Sequence, residues 1–125
     1  MSDSELLRAC KAGIALWQNA FNTQDAKSCA GQYLEDAVME ARPFGTFTGR
    51  QAIQGFWQGI MDQGFENVDY TDVQWIPVDG NDGFILMAKW TMNKAYGVVH
   101  REHWVIDTDG KARLKSDDFK VQGER

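Results

Sequence analysis

Apolar side chains recur at helical spacing along the first part of the chain. Ser2 and Glu5 have the spacing of a capping box, and the apolar stripe behind them predicts an amphipathic helix over residues 5–22. The stripe consists of Leu6, Cys10, Ile14, Trp17 and Phe21. Asp25 is a suitable N-cap for a second, short helix that runs to about Tyr33.

A third helix is predicted after Thr48-Gly49, and Gly64 suits a left-handed C-cap at its end. Its apolar positions follow the helical repeat and are Ile53, Phe56, Trp57, Ile60 and Met61. Before this helix, residues 38–42 have the pattern of a short strand. Pro43 ends that strand because proline has no amide hydrogen to donate to a sheet.

From residue 65 onward the apolar period changes to two, which predicts four strands. Their ranges are residues 68–78, 84–94, 98–107 and 111–121, and turns are expected at residues 80–83, 95–97 and 107–110. The alternation slips between Tyr70 and Val73, which indicates a bulge. The order of elements predicts a single α+β domain over residues 1–125, with three N-terminal helices packed on a curved, mostly antiparallel sheet.

Composition and charge exclude several classes of function. The 125 residues are 43% hydrophobic and 25% charged, which is ordinary for one globular domain. The net charge is −5, and no basic stripe that would bind nucleic acid is visible. The longest apolar run, residues 84–88, is too short for a membrane helix, and the first residues do not resemble a signal peptide. A cytoplasmic protein without nucleic-acid or membrane partners is expected.

No metal site or cofactor is expected from the sequence. Cys10 and Cys29 form no CxxC pair and lie among apolar neighbours, which is typical of buried structural thiols. His100 and His103 are three residues apart, and on a strand this spacing directs the two side chains to opposite faces.

Three stretches resemble the nuclear transport factor-like superfamily of cone-shaped α+β barrels: residues 33–40 (YLEDAVME), 47–53 (FTGRQAI) and 106–111 (IDTDGK). Its SnoaL-like polyketide cyclase and ketosteroid isomerase branches are the most similar. The resemblance spans essentially the whole chain. It implies a cone-shaped barrel with an internal apolar pocket, and often a homodimer through the outer sheet face. Function varies widely on this fold, so the resemblance implies no single reaction.

The functional positions of the isomerase branch are only partly matched. Its first-helix tyrosine falls on Trp17, and its general base falls on Ala41 or Arg42, neither of which is a base. Its second acid falls on Glu102, which precedes Trp104. In related epoxide hydrolases an aspartate of the last strand stands near Asp117, but their Arg-x-Asp pair is replaced by Lys-Trp-Thr at residues 89–91. Both of these reactions are therefore disfavoured.

The resemblance places Glu102 in the pocket, where burial among tryptophans would raise its pKa and suit it to acid–base catalysis. A two-residue hairpin loop would bring His100 and Lys89 to the same face, and a shift of one residue would reverse the faces. Glu102, His100 and Asp117 are the expected catalytic residues. The expected ligand-binding residues are Trp17, Tyr33, Arg42, Phe56, Trp57, Met87, Lys89 and Trp104.

Two alternatives stay open at these positions. Glu102 and Lys89 could form a cross-strand ion pair on a solvated face, and either Asp117 or Asp118 could be the residue that faces inward. The leading interpretation is an enzyme of the isomerase, cyclase or dehydratase kind. It would act by proton transfer on a small, largely apolar carbonyl or hydroxyl compound. The alternatives are a non-catalytic ligand-binding module and an assembly module whose interior is filled by side chains.

Overall fold

The computed structural model describes residues 2–125, which form three α-helices and six strands. The helices are α1 (Asp3–Asn22), α2 (Ala26–Gly31) and α3 (Arg50–Asp62). The strands are β1 (Tyr33–Arg42), β2 (Gly45–Thr48), β3 (Asp69–Pro77), β4 (Phe84–Thr91), β5 (Ala95–Ile106) and β6 (Ala112–Glu124). A short 3-10 helix, Asp79–Asn81, joins β3 to β4.

All six strands belong to one sheet in the order β2-β1-β6-β5-β4-β3. β1 and β6 run parallel, and the other neighbours run antiparallel. The predicted fold class is confirmed, although the sheet stays open, with β2 and β3 at its edges. The parallel pair has a functional consequence, because it brings the first strand of the chain beside the last one.

The helix ends follow the local chemistry that the sequence predicts. The Ser2 hydroxyl accepts from the Glu5 amide at 3.2 Å and donates to the Glu5 carboxylate at 2.9 Å. The Asp25 carboxylate accepts from the Ser28 amide at 3.0 Å and so caps α2. Gly64, with a φ of +86°, follows the last turn of α3 in the left-handed region.

Two strands differ from the prediction near residues 33–48. β1 begins at Tyr33, five residues before the predicted start, because an irregular stretch between Tyr33 and Val38 hides the alternation. β2 was not predicted, since its four residues are mostly exposed and too few to show a period. It pairs with β1 to form a hairpin around Pro43.

The hairpin between β4 and β5 turns earlier than predicted. The Met92 amide donates to the Ala95 carbonyl, so the loop is Asn93-Lys94 and residues 95–97 belong to β5. Along this hairpin, Ala88 pairs with Val99 and Leu86 pairs with Glu102. One residue of β4 therefore stands opposite two residues of β5, which is a β-bulge at residues 100–101. The bulge reverses which side chains of β5 face inward.

The helices cover one face of the sheet and enclose the core with it. α1 approaches β5 closely at Gly13, where an added Cβ would lie 2.6 Å from Cζ3 of the fully buried Trp104. Val73, Ile76, Met87 and Tyr96 of strands β3–β5 remain exposed. Within residues 2–125, no helix is both long and apolar enough to cross a membrane.

Candidate functional site

A pair of carboxyl groups lies in the interior between β5 and β6. Glu102 and Asp117 are cross-strand partners in the register of these strands. Their side chains are buried, with residue exposures of 5% and 3%. Glu102 faces inward because of the bulge just before it. Asp117 faces inward because the register of β6 shifts at Lys115, which moves the buried positions from Ala112 and Leu114 to Asp117 and Phe119. We call these two residues the carboxyl pair.

Two neutral hydrogen-bond donors hold the carboxyl pair, and a third donor holds one of these two. The Tyr33 hydroxyl donates to Asp117 Oδ2 at 2.7 Å, and Trp57 Nε1 donates to the same hydroxyl at 3.3 Å. Trp104 Nε1 donates to Glu102 Oε1 at 3.2 Å. No cation among the described residues forms an ion pair with either carboxyl group. Hydrogen bonds alone therefore offset the free-energy cost of burying these two carboxyl groups.

Burial has different effects on the two members of the carboxyl pair. It raises the pKa of Glu102 well above its ordinary value, and the neighbouring Asp117 raises it further. Burial also raises the pKa of Asp117, but hydrogen bonds from Tyr33 and Glu102 oppose this and hold it at about 6. Burial therefore favours the protonated form of Glu102, whereas the hydrogen bonds to Asp117 favour the ionised form of that residue. The two carboxyl groups of the pair thus differ in how tightly they hold a proton, although they lie side by side.

The cavity beside the carboxyl pair is small. Its volume is about 20 Å³, which is room for about one water molecule. Its lining comes from both layers and consists of Trp17, Trp57, Val68, Tyr70, Trp90, Met92, Val99, Glu102, Asp117 and Phe119. Aromatic side chains fill the space around it, with Trp57 stacked on Phe119 at 5.5 Å and edge-on to Trp17 at 5.0 Å.

Three buried polar atoms of the cavity lining have no hydrogen-bond partner among residues 2–125. They are Trp17 Nε1, Trp90 Nε1 and Asp117 Oδ1. A buried polar group without a partner costs about 1–3 kcal/mol. Two donors and one acceptor therefore remain for a polar molecule in the cavity.

Tyr70 also belongs to the cavity, and the sequence did not single it out as a site residue. It lines the cavity together with Glu102 and Asp117, and the residue as a whole is half-buried. Burial raises the pKa of its hydroxyl well above the ordinary value, and Glu102 and Asp117 add to this. The slip in alternation beside it is confirmed, since the register shifts between Thr71 and Gln74.

The sequence profile of the SnoaL-like domain matches residues 14–115, which is most of the chain. The chain belongs to the SnoaL-like domain family. The predicted membership of the nuclear transport factor-like superfamily is thereby confirmed. None of the curated proteins has a sequence that matches this one.

Solved structures similar to this SnoaL-like domain share its whole fold at low identity. Aln2 from a Streptomyces species is 15% identical, covers 97% of this chain and 94% of its own, and has a TM-score of 0.82. A ketosteroid isomerase-like protein from Erwinia carotovora atroseptica is 11% identical, with coverages of 96% and 98% and a TM-score of 0.79. A protein from Catenulispora acidiphila, solved in complex with S-DNPA, is 14% identical, with both coverages at 95% and a TM-score of 0.76.

Most of the aromatic residues predicted for the site lie at or next to the cavity of this SnoaL-like domain. Trp17 and Trp57 line it together with the carboxyl pair. Tyr33 and Trp104 lie behind the carboxyl pair and hold it by the hydrogen bonds described above. Phe56 is half-buried one layer farther out, with its ring 5.0 Å from that of Trp57.

Four predicted site residues are exposed on the surface and do not line the cavity. His100 is exposed on the outer face because the bulge at residues 100–101 reverses the alternation. Met87 is 39% exposed, and Lys89 is exposed and pairs with Asp72 at 3.1 Å, so neither faces Glu102. Arg42 is on the surface, where its Nε contacts Asp118 at 3.0 Å. The expectation that His100, Met87 and Lys89 share the pocket face with Glu102 is wrong.

Two alternatives left open by the sequence are resolved by these positions. Asp117 is the inward-facing residue and Asp118 faces outward to Arg42. A cross-strand ion pair between Lys89 and Glu102 is wrong, because Glu102 pairs with Leu86 across the strands. Within residues 2–125, no group of three or more His, Cys, Asp or Glu residues is arranged to hold a metal ion.

Proposed function

We propose that this SnoaL-like domain is an enzyme that transfers protons on a small, largely apolar carbonyl or hydroxyl compound. The reaction would be an isomerisation, cyclisation or dehydration. One observation carries the proposal: a buried acid, Glu102, faces a buried base, Asp117, next to a cavity with unpartnered donors. Buried groups whose pKa values differ in this way are the usual means of providing an acid and a base at neutral pH.

Asp117 is the base of the proposed reaction. Its Oδ1 has no partner among the described residues and takes a proton from the carbon next to the ligand carbonyl. The electron pair of that C–H bond forms a C=C bond, and the carbonyl oxygen becomes an enolate. Returning the proton to another carbon gives an isomer, whereas expelling a β-hydroxyl with that proton gives water and the dehydrated product.

Glu102 is the acid of the proposed reaction. Its proton hydrogen-bonds the enolate oxygen, and the indole donors of Trp17 and Trp90 are available to the same oxygen. Surrounding aromatic side chains exclude water, which strengthens these interactions. Tyr33 acts through Asp117, because its hydrogen bond favours the ionised carboxylate. It is a positioning residue.

The similar structures support a small-molecule function without identifying the substrate. One of them is described as ketosteroid isomerase-like, and another holds S-DNPA. At 11% and 14% identity these proteins share the fold with this chain, and their ligands are not carried over to it.

The test uses proton exchange, since no substrate has to be known. A panel of cyclic and aromatic ketones is incubated with the protein in D₂O, and exchange of the α-protons is followed by NMR. We expect catalysed exchange whose rate falls below about pH 6, and a loss of at least about 100-fold in Asp117→Asn and Glu102→Gln. The adjacent, outward-facing residue supplies the matched control, Asp118→Asn, which should keep the wild-type rate.

A non-catalytic ligand-binding or protein-association module is the second candidate. The observation that favours it is the cavity volume of about 20 Å³, far below the roughly 300–1,000 Å³ of most small-molecule sites. If ketones of the panel bind but none exchanges faster with wild type than with D117N, the binding module is correct and the enzyme proposal is wrong.

A homodimer through the outer sheet face and a cytoplasmic location complete the proposal. Exposed apolar side chains on this face, including Val73 and Met87, support the dimer. The location follows only from the sequence.

A further inference from the structure

The space at the carboxyl pair and the space just outside it differ greatly in volume. The cavity holds about 20 Å³, whereas a groove between α1 and β3 holds about 250 Å³. Its apolar walls include Ile14 and Ala15 of α1, Val73 and Trp75 of β3, and Leu86 of β4. Three polar residues, Lys11, Gln18 and Asp69, also line it. We call this space the outer groove. The cavity admits only one functional group of a ligand, so the body of the ligand needs a second space.

Tyr70 is the one residue of the described chain that lines both the cavity and the outer groove. It shares the cavity lining with Glu102 and Asp117, and it is half-buried on β3. β3 is an edge strand whose register shifts directly after this residue, with Asp72 at a φ of +51°.

The floor of the outer groove adjoins the acid of the carboxyl pair. Leu86 is 1% exposed and lines the groove, and it is the cross-strand partner of Glu102. Paired residues on one face of a sheet have Cβ atoms about 4.5–5.5 Å apart. One residue therefore separates the groove from Glu102, and the Tyr70 ring is the partition above it.

We propose that the outer groove is the outer part of the ligand site, and that the Tyr70 side chain turns aside to admit the ligand to the carboxyl pair. This inference rests on the proposed function. The two parts of the ligand then bind in different spaces. Its carbonyl group enters the cavity, and its flat apolar body lies between Ile14 and Trp75. Compounds of about two fused rings bearing one carbonyl group fit this division.

The test uses 2-acetylnaphthalene as the probe, with its association rate followed by stopped-flow tryptophan fluorescence. Ala15 is exposed and lines the outer groove, so Ala15→Phe blocks the groove without disturbing the core. Ala12 is exposed on the same helix and does not line the groove, so Ala12→Phe is the matched control. We expect A15F to slow association at least tenfold and A12F to stay within twofold of wild type. Thermal unfolding verifies that both variants fold.

Glu102→Gln separates this inference from the proposed function. Weaker probe binding in E102Q, together with slow association in A15F, supports both. Weaker binding in E102Q with wild-type association in A15F overturns the outer groove and leaves the proposed function standing. Absence of binding, or binding that is equal in E102Q and wild type, overturns both. Tyr70→Ala adds an independent arm: removing the partition should speed association, and an unchanged rate contradicts its role.

Discussion

The Tyr33 hydroxyl donates a hydrogen bond to Asp117 Oδ2 at 2.7 Å, from the strand that runs parallel to β6. Tyr33 is fully buried, and burial beside Asp117 raises the pKa of its hydroxyl, so the tyrosine stays protonated as a donor. The two residues are 84 positions apart in the chain, and the crossover that puts β1 beside β6 brings them together.

Tyr33→Phe should therefore weaken the fold and change the charge of the site. We expect a loss of about 1–3 kcal/mol in the free energy of unfolding, because Asp117 loses a donor and Trp57 Nε1 loses its acceptor. The pKa of Asp117 should rise above about 6, since the lost hydrogen bond favours the ionised form. Urea unfolding and carboxyl NMR measure the two effects.

Tyr96→Phe is the control for this substitution, because the side chain of Tyr96 is 42% exposed. Its effect should stay within about 0.5 kcal/mol. Equal losses in Y33F and Y96F would contradict the account of the Tyr33–Asp117 hydrogen bond.

Gly13→Ala should destabilise the protein through Trp104. The new Cβ would lie 2.6 Å from the indole, so the ring must shift, at a cost of about 1–3 kcal/mol, and its hydrogen bond to Glu102 should weaken. Gly55→Ala, on α3, is the matched control, because no atom lies within 4 Å of its added Cβ. G55A should stabilise the helix by about 0.5–1 kcal/mol. A higher unfolding temperature for G13A than for G55A would contradict the close packing of Gly13 against Trp104.

The pH dependence of stability should report the raised pKa of Glu102. The folded protein binds the Glu102 proton more tightly than the unfolded chain does. The stabilisation from this proton is complete below the ordinary pKa of 4.5, and it is lost as the pH rises toward the higher pKa of Glu102 in the folded protein. Asp117 adds a similar loss between about pH 4 and pH 6. In urea unfolding from about pH 5 to pH 8, Glu102→Gln should lose less stability than wild type.

Glu35→Gln is the control for the pH series, since Glu35 is exposed. It should show the same fall in stability with pH as the wild-type protein. A fall in E102Q that is as steep as in E35Q would mean that Glu102 ionises in the folded protein as it does in the unfolded chain.

The proposed homodimer is tested by light scattering over a concentration series. We expect twice the monomer mass at micromolar concentration, and we expect Met87→Glu on the outer sheet face to shift the population toward the monomer. Leu16→Glu is the control, because Leu16 is 55% exposed on α1 and away from the sheet. A monomer at every wild-type concentration would remove the dimer from the proposal.

Helical periodicity and capping residues were enough to predict the three helices, because each signal is local in sequence. The position of Glu102 could be predicted only by resemblance. The bulge at residues 100–101 arises from the pairing of β5 with β4 and β6, so no alternation within β5 alone could show that His100 faces outward.

Tyr33 and Tyr70 illustrate the same limit. Tyr33 was expected at a helix end, and its contact with Asp117 depends on a parallel crossover that short-range patterns do not encode. Tyr70 carries a visible signal, the slip in alternation beside it, but that signal indicates a bulge and not a nearby pair of carboxyl groups.

Carbon-13 NMR titration of the side-chain carboxyl groups tests the central claim most directly. With Asp and Glu labelled, the Asp117 signal should titrate at about pH 6, and the Glu102 signal should titrate well above its ordinary value of 4.5. Assignment comes from D117N and E102Q. Titration of both signals near the ordinary values of 3.8 and 4.5 would contradict the acid–base pair.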